Sequence, residues 1–353
     1  MKKTIIISAG GTGGHIFPAL AIAKQLQNNY KIVWVGAKAG LENTLIPQHG
    51  FLLETVTVAG VRNKGLLRKL LLPFTLLRAH VECLEILLKH RPALVVGFGG
   101  YATFPITLTA KLLAKPVVIH EQNSVAGLTN RILARVVNKI LVAFPDVLTS
   151  SKTLLVGNPV RQEIIAAFHN KNILGEGVAG LRILIIGGSL GAKALNDNVP
   201  LALAKLGNKV SEVTHQVGRG EVEPIAEIYR QHNVNANVVN FIEDMAAAYT
   251  NADLIICRAG ASTVAEVACA GIAAIFVPYP YAVDDHQTVN TRQLVEAGAA
   301  QLLPQTNLTP DSLAEIIRNL SHTQCQAMGQ KARSIAIIDS TERICRQIVK
   351  QIK

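Results

Sequence analysis

The feature that most limits how this chain can fold is that it echoes itself. The stretch IIISAGGTGGHIFPALAIAKQL, beginning at Ile5, is matched by ILIIGGSLGAKALNDNVPLALAKL, beginning at Ile183, with Gly10-Gly11-Thr12 against Gly187-Gly188-Ser189. Each copy is a buried-strand run, a turn of small residues and a helix-length segment, so each opens a doubly wound α/β domain. Around them short apolar runs alternate with amphipathic segments: KIVWVG, ALVVGFGG, PVVIHEQN and KILVAF, then VVNFIE, ADLIICRAG and AAIFVPYP. Continuous apolar strands joined by helices predict parallel sheets covered on both faces. The 353 residues exceed what one core supports, and two domains of about 150–200 residues follow. VGNPVRQEI, Val156 to Ile164, carries the turn signals of a boundary,. Two such domains facing one another predict a cleft at the carboxyl ends of their strands, and a ligand in that cleft.

Composition narrows the class. With 49% hydrophobic and 17% charged residues, disorder is excluded,. A net charge of +11 favours an anionic partner: a nucleotide, a nucleic acid or an acidic membrane face,. Aromatics at 5% without basic-aromatic interleaving argue against single-stranded nucleic acid,. Five widely spaced cysteines with no CxxC pair read as thiols in a reducing compartment, with neither zinc nor a disulfide framework,. The run MKKTIII is too short for a signal-peptide core, and Leu70 to Leu77 is far below the roughly 18 residues of a membrane span,. The chain should be soluble or peripheral.

The first loop, GGTGGH, has four glycines that permit close backbone approach at a helix N-terminus,. Its glycines are not spaced as GxGxxG, and no acid stands at the tip of KIVWVGAKAG, Glu42 lying a few residues beyond, which argues against NAD,. His15, in the first turn of the helix, is either a general base or a cap,. Gly187-Gly188-Ser189-Leu190-Gly191 suits a phosphate, and Arg161 offers charge or a planar face,. In CRAGASTVAEVACAG a strand runs into a helix start where Glu266 can accept both hydroxyls of a ribose; Thr263 to Glu266 also fits a capping box,. Asp284-Asp285-His286 does not converge as a metal site should, so no metal is expected,. From Arg62 to Arg78, basic side chains join more apolar surface than one buried face needs, with Pro73 expected to kink or divide the segment,. It is either an anionic-membrane contact or a core-packed helix with solvated lysines.

The ordered set GGTGGH, GFGGY, HEQN, GNPVR, GGSLGA, FIEDM, RAGASTVAE and DDHQ resembles, over essentially the whole chain, the MurG family of bacterial peptidoglycan glycosyltransferases. The resemblance implies a GT-B fold, two Rossmann-like doubly wound parallel-sheet domains with an interdomain cleft. It divides the chain into an acceptor and membrane-associated domain, 1–158 with a returning C-terminal helix 337–353, and a donor domain, 159–336. It implies transfer of GlcNAc from UDP-GlcNAc to the C4 hydroxyl of undecaprenyl-pyrophosphoryl-MurNAc-pentapeptide (lipid I), inverting the anomeric centre and giving lipid II. UDP-GlcNAc is then a substrate, and no cofactor is expected.

Carried over by motif, the Ile242 backbone reads the uracil edge between Phe241 and Arg161, Glu266 holds the ribose, and Ser189 meets the diphosphate. Ala261, Ser262, Thr263, Val264, Ala265, Gln287, Asn123, Thr12, Gly13 and Gly14 surround sugar and phosphate. Gly13, Gly14, Gly99, Gly100 and Tyr101 cradle the acceptor pyrophosphate. His15 leads as general base, with Glu121 as rival. Arg62, Lys64, Leu66, Leu67, Arg68, Lys69, Leu72, Phe74, Leu76 and Arg78 face the membrane. The implied place is the cytoplasmic face of the bacterial inner membrane, with other cell-wall synthesis and division proteins as partners and no nucleic acid. Members with two glutamines in the last motif differ from this chain, which has His286 before Gln287, and the first of those sugar contacts is unassigned here. The rival readings are a UDP-GlcNAc 2-epimerase of the same fold and a non-catalytic nucleotide-binding scaffold at the membrane.

Overall fold

The computed structural model describes residues 2–58, 72–169, 180–188 and 191–352. The chain divides into two compact units, Met1–Pro159 with Asp339–Lys353, and Val160–Ile338. In the first, β1 (Thr4–Ala9), β2 (Lys31–Ala37), β3 (Leu52–Val56), β4 (Leu94–Gly99), β5 (Val117–Glu121), β6 (Lys139–Val142) and β7 (Thr153–Leu155) form a parallel sheet in the order β3-β2-β1-β4-β5-β6-β7. Its central strands are apolar without alternation because both faces are covered: Ile5, Ile6 and Ile7 are all buried,. The helix Gly13–Leu26 lays Ile16, Leu20 and Ala23 on one face, and the terminal helix Ser340–Val349 adds Ile344 and Ile348 to the same core. The buried Trp34 indole donates to the Ala9 carbonyl at 2.9 Å, tying the end of β1 to β2 just before the glycine turn.

The second unit repeats the plan. Strands β8 (Leu181–Ile186), β9 (Val210–Gln216), β10 (Ala236–Val239), β11 (Leu254–Cys257), β12 (Ala273–Phe276) and β13 (Ala300–Leu302) run parallel in the order β10-β9-β8-β11-β12-β13. Leu195, Val199 and Leu203 of the helix Lys193–Ala204 pack with Ile183, Ile185 and Tyr229. Each sheet reverses its winding next to its first strand, between β1 and β4 and between β8 and β11. Beyond the carboxyl ends of strands at such a reversal, open parallel sheets bind ligands. GGTGGH and GFGGY stand there in the first unit, Gly187-Gly188 and the RAGAS turn in the second.

Of the basic apolar segment, Arg62, Lys64, Leu66, Leu67, Arg68 and Lys69 lie outside the described residues. The helix Leu72–His90 is continuous, with Pro73 in its first turn, where proline is tolerated; the expected break at Pro73 does not interrupt it,. Its apolar residues fall on two sides. Ala79, Cys83, Ile86 and Leu87 are buried, while Phe74, Leu77, Val81, Leu84 and Leu88 form an exposed stripe at helical spacing,. Leu76 is partly buried, to one side of that stripe. Arg78 is exposed and pairs with Glu82 at 3.1 Å. No described helix is long and apolar enough to cross a membrane.

Two buried histidines make the fold acid-sensitive. His120, bonded to the Gly157 carbonyl at 3.1 Å, and His215, between the Tyr229 hydroxyl at 3.0 Å and Asn196 at 3.3 Å, are pushed down to about 4 by burial. The unfolded chain takes these protons near the ordinary histidine value of about 6.5. Stability is therefore complete above that pH and falls as the pH drops toward 4, by on the order of 3 kcal/mol per site. Calorimetry from pH 7 to pH 4 should show a steadily falling Tm; a flat Tm across that window contradicts the assignment.

Candidate active site

In the first unit the glycine turn is held from several sides. Thr12 is the extended N-cap of the helix Gly13–Leu26, so Gly13 and Gly14 are its first residues and their N–H groups point out of the helix end,. The His15 ring turns back: Nδ1 lies 3.1 Å from the Gly10 carbonyl oxygen and 3.2 Å from the Thr12 hydroxyl. Gly99 and Gly100, at φ +108° and +97°, close against this turn. A Cβ on Gly99 would sit 2.8 Å from the His15 ring, and one on Gly100 would sit 2.5 Å from the Gly10 oxygen. GGTGGH and GFGGY thus form one surface, with Tyr101 half exposed beside it.

Glu121, the rival base, is differently placed. It ends β5 at 2% exposure. Its Oε1 accepts from the Asn123 amide at 3.0 Å and the Asn123 side chain at 3.5 Å, and its Oε2 from Gly127 N–H at 3.0 Å and Asn130 at 2.9 Å. A carboxylate so occupied shapes the HEQN loop and sets the pose of Asn123. To reach a substrate it would have to surrender those bonds.

In the second unit, Ser189 lies outside the described residues, and the helix after the glycine turn starts at Lys193 with Ala192 as its cap. The helix Ala261–Ala270 starts from an extended Gly260, so Ala261, Ser262 and Thr263 form its first turn, followed by Val264 and Ala265. Thr263 is inside the helix rather than at its cap, which removes the capping-box reading: the chain enters the helix three residues earlier, at the residue without a side chain. Glu266 accepts from the Tyr249 hydroxyl at 3.2 Å and faces Arg161 at 3.8 Å. Burial, the largest influence, raises its pKa above the usual carboxylate range, while Arg161 and the Tyr249 bond pull it down. A carboxylate kept in a partly buried place with so loose a cation is poised for another donor.

Gln287 is fixed by its oxygen. Its Oε1 accepts from Ala259 N–H at 3.3 Å and Tyr279 N–H at 2.9 Å, and its amide NH2 has no protein partner among the described residues. Arg258 braces the same loop through the Val277 and Pro278 carbonyls at 3.0 and 3.1 Å. Asp284 and Asp285, both at positive φ, turn the chain into the helix His286–Glu296. Phe241 is exposed and Ile242 is buried, and both line a cavity of about 310 Å³ together with Thr214, Asn237, Asp244 and Asn251. Tyr249 and Arg258 had no signal in spacing alone. Arg258 stands inside the RAGASTVAE motif, but its work is done through backbone carbonyls about twenty residues on.

Two parallel doubly wound units with paired switch-point loops, one carrying a carboxylate below a helix N-terminus, define a nucleotide-sugar enzyme of the GT-B class. The description "Glycosyltransferase family 28 N-terminal domain" matches residues 5–142, and "Glycosyltransferase family 28 C-terminal domain" matches residues 182–347. The chain belongs to the MurG family of glycosyltransferases. It is 51% identical to the UDP-N-acetylglucosamine--N-acetylmuramyl-(pentapeptide) pyrophosphoryl-undecaprenol N-acetylglucosamine transferase of Dechloromonas aromatica (strain RCB), over 99% of this chain and 100% of that one. The crystal structure of Acinetobacter baumannii MurG matches with a TM-score of 0.88 at 41% identity, covering 99% of each chain. UDP-GlcNAc 2-epimerase from Neisseria meningitidis, bound to UDP-GlcNAc, matches with a TM-score of 0.67 at 14% identity over 99% of this chain and 100% of that one, a likeness of fold alone.

Proposed function

We propose that the chain transfers N-acetylglucosamine from UDP-GlcNAc to the C4 hydroxyl of the muramyl residue of lipid I, with inversion, to give lipid II. The observation that carries this reading is the 51% identity over nearly the whole length to a transferase of that name. The site chemistry agrees with it. In the second unit, Glu266 accepts the ribose hydroxyls, Phe241 and Arg161 flank the uracil read by the Ile242 backbone, and Gln287 donates to a sugar hydroxyl. The N-termini of the helices Lys193–Ala204 and Ala261–Ala270, with Ser189, stabilise charge on the departing UDP,. In the first unit, Gly13, Gly14, Gly99 and Gly100 receive the acceptor pyrophosphate. His15 Nε2 takes the C4 hydroxyl proton as that oxygen bonds to the anomeric carbon and the bond from that carbon to the UDP oxygen breaks. An assay with labelled UDP-GlcNAc and a lipid I analogue should yield the β-1,4-linked disaccharide. Conversion of UDP-GlcNAc to its 2-epimer without acceptor, or binding without turnover, contradicts it.

The exposed Phe74-Leu77-Val81-Leu84-Leu88 stripe, continuing the basic segment, is the face we assign to the lipid surface that carries the acceptor,. Phe74→Asp with Leu77→Asp should cut sedimentation with anionic vesicles several-fold; unchanged sedimentation removes the assignment.

A further inference from the structure

Two contacts in the first unit meet on a single peptide group. The carbonyl oxygen of Gly10 lies 3.1 Å from His15 Nδ1. A carbonyl only accepts, so this bond places a proton on Nδ1 and makes Nε2 the lone-pair nitrogen. The N–H of the same peptide, that of Gly11, donates to Glu42 Oε2 at 3.2 Å. Glu42 is fully buried at 0% exposure, and its other oxygen takes the Ala37 N–H at 2.9 Å. Neither contact is to a cation. The chain makes room for this carboxylate with three glycines: a Cβ on Gly10, Gly36 or Gly40 would fall 2.3, 2.5 or 2.1 Å from its side chain. Among the described residues this buried carboxylate is bonded only to backbone amides, which is expensive to keep where packing alone would serve,.

We infer that Glu42 acts on His15 through the Gly10–Gly11 peptide, with carboxylate, amide N–H, carbonyl and imidazole N–H in series. The negative charge polarises the peptide and strengthens the Gly10 oxygen as an acceptor. It thereby holds the ring in the Nδ1–H tautomer and stabilises the imidazolium that forms when Nε2 takes the acceptor proton. In a Ser-His-Asp triad the carboxylate touches the imidazole directly; here one peptide unit stands between them. The transferred proton stays on Nε2, Nδ1 keeps its own, and Glu42 takes none. Glu42 is therefore a positioning residue, and its role rests on the reading of His15 as the base.

Glu42→Gln keeps the shape and removes the charge. It should lower kcat about 10-fold and move the acid limb of kcat/KM down by about half a pH unit, with KM for UDP-GlcNAc unchanged. In a His15→Ala background the same change should cost nothing further. An equal loss in both backgrounds overturns the relay and leaves the base reading standing. If His15→Ala alone changes neither the rate nor the acid limb, the base reading fails and takes the relay with it. Nitrogen NMR of His15 in the wild-type protein needs no variant that folds: the Nδ1–H tautomer supports the relay, and the Nε2–H tautomer overturns it.

Discussion

Replacing Glu266 with alanine is expected to weaken UDP-GlcNAc binding about 100-fold while leaving the fold intact. Hydrogen bonds from hydroxyls to a carboxylate contribute about 1.5–3 kcal/mol each, so losing a ribose pair costs at least about 3 kcal/mol, a change of about 100-fold or somewhat more. The local electrostatics make the effect separable from folding. Burial already raises the Glu266 pKa, so in the unliganded protein the charged form is held at a disadvantage that Tyr249 and the 3.8 Å approach of Arg161 only partly offset. Removing the charge should leave Tm at neutral pH unchanged or slightly higher, most cleanly in Glu266→Gln. The pH dependence has a definite sign. Donor affinity needs the carboxylate, so it falls as the pH drops through the raised pKa, beginning above the range of an ordinary glutamate. The same raised value means that the unliganded fold binds this proton more readily than the unfolded chain. Protonation there does not destabilise the fold, and loss of affinity on acidification precedes loss of structure at this site. Titration calorimetry with UDP-GlcNAc from pH 8 to pH 5 checks both statements; donor affinity in Glu266→Ala equal to wild type removes the ribose assignment.

His15→Ala should lower kcat about 1000-fold with KM for UDP-GlcNAc nearly unchanged, since general-base catalysis is worth about 10²–10⁴. The geometry supplies the reason for the split. His15 belongs to the acceptor-side turn of the first unit, where its Nδ1 is committed to Gly10, while Glu266 belongs to the second unit. In the wild type the rate should fall at acid pH as the imidazole is protonated, and this limb should disappear from the residual activity of the variant. Steady-state kinetics against pH, with either substrate varied, measures this; a retained kcat assigns the proton to another group. Glu121 is a poor candidate for that group, because four donors from Asn123, Gly127 and Asn130 occupy its carboxylate.

Periodicity and small residues make the sheets and their turns legible in the chain. Strands such as TIIISA and DLIIC are continuously apolar because they are covered on both faces, and the glycine clusters mark the strand ends where the winding reverses. What escaped depended on direction and on partners distant in the chain. Thr263 to Glu266 fits a capping box in letters, yet Gly260 takes the cap and places both residues inside the helix. In the sequence Glu42 stands a few residues past the tip of β2, out of place for a ribose-binding acid, and nothing near it names another partner. Its carboxylate turns inward onto Gly11, through space left by Gly10, Gly36 and Gly40, a relation visible only once the strands are packed. Tyr249 reaches Glu266 from a separate helix seventeen positions upstream, where no local pattern announces it.

We assign the nucleotide to the second unit and the acceptor to the first. A crystal structure of the protein with UDP-GlcNAc tests this assignment most directly. The ribose hydroxyls are expected on Glu266, the uracil edge on the Ile242 backbone and the diphosphate at the helix starts after Gly191 and Gly260. A nucleotide seated instead on the Gly10–Gly14 turn, with Glu266 still bonded only to Tyr249, would contradict it.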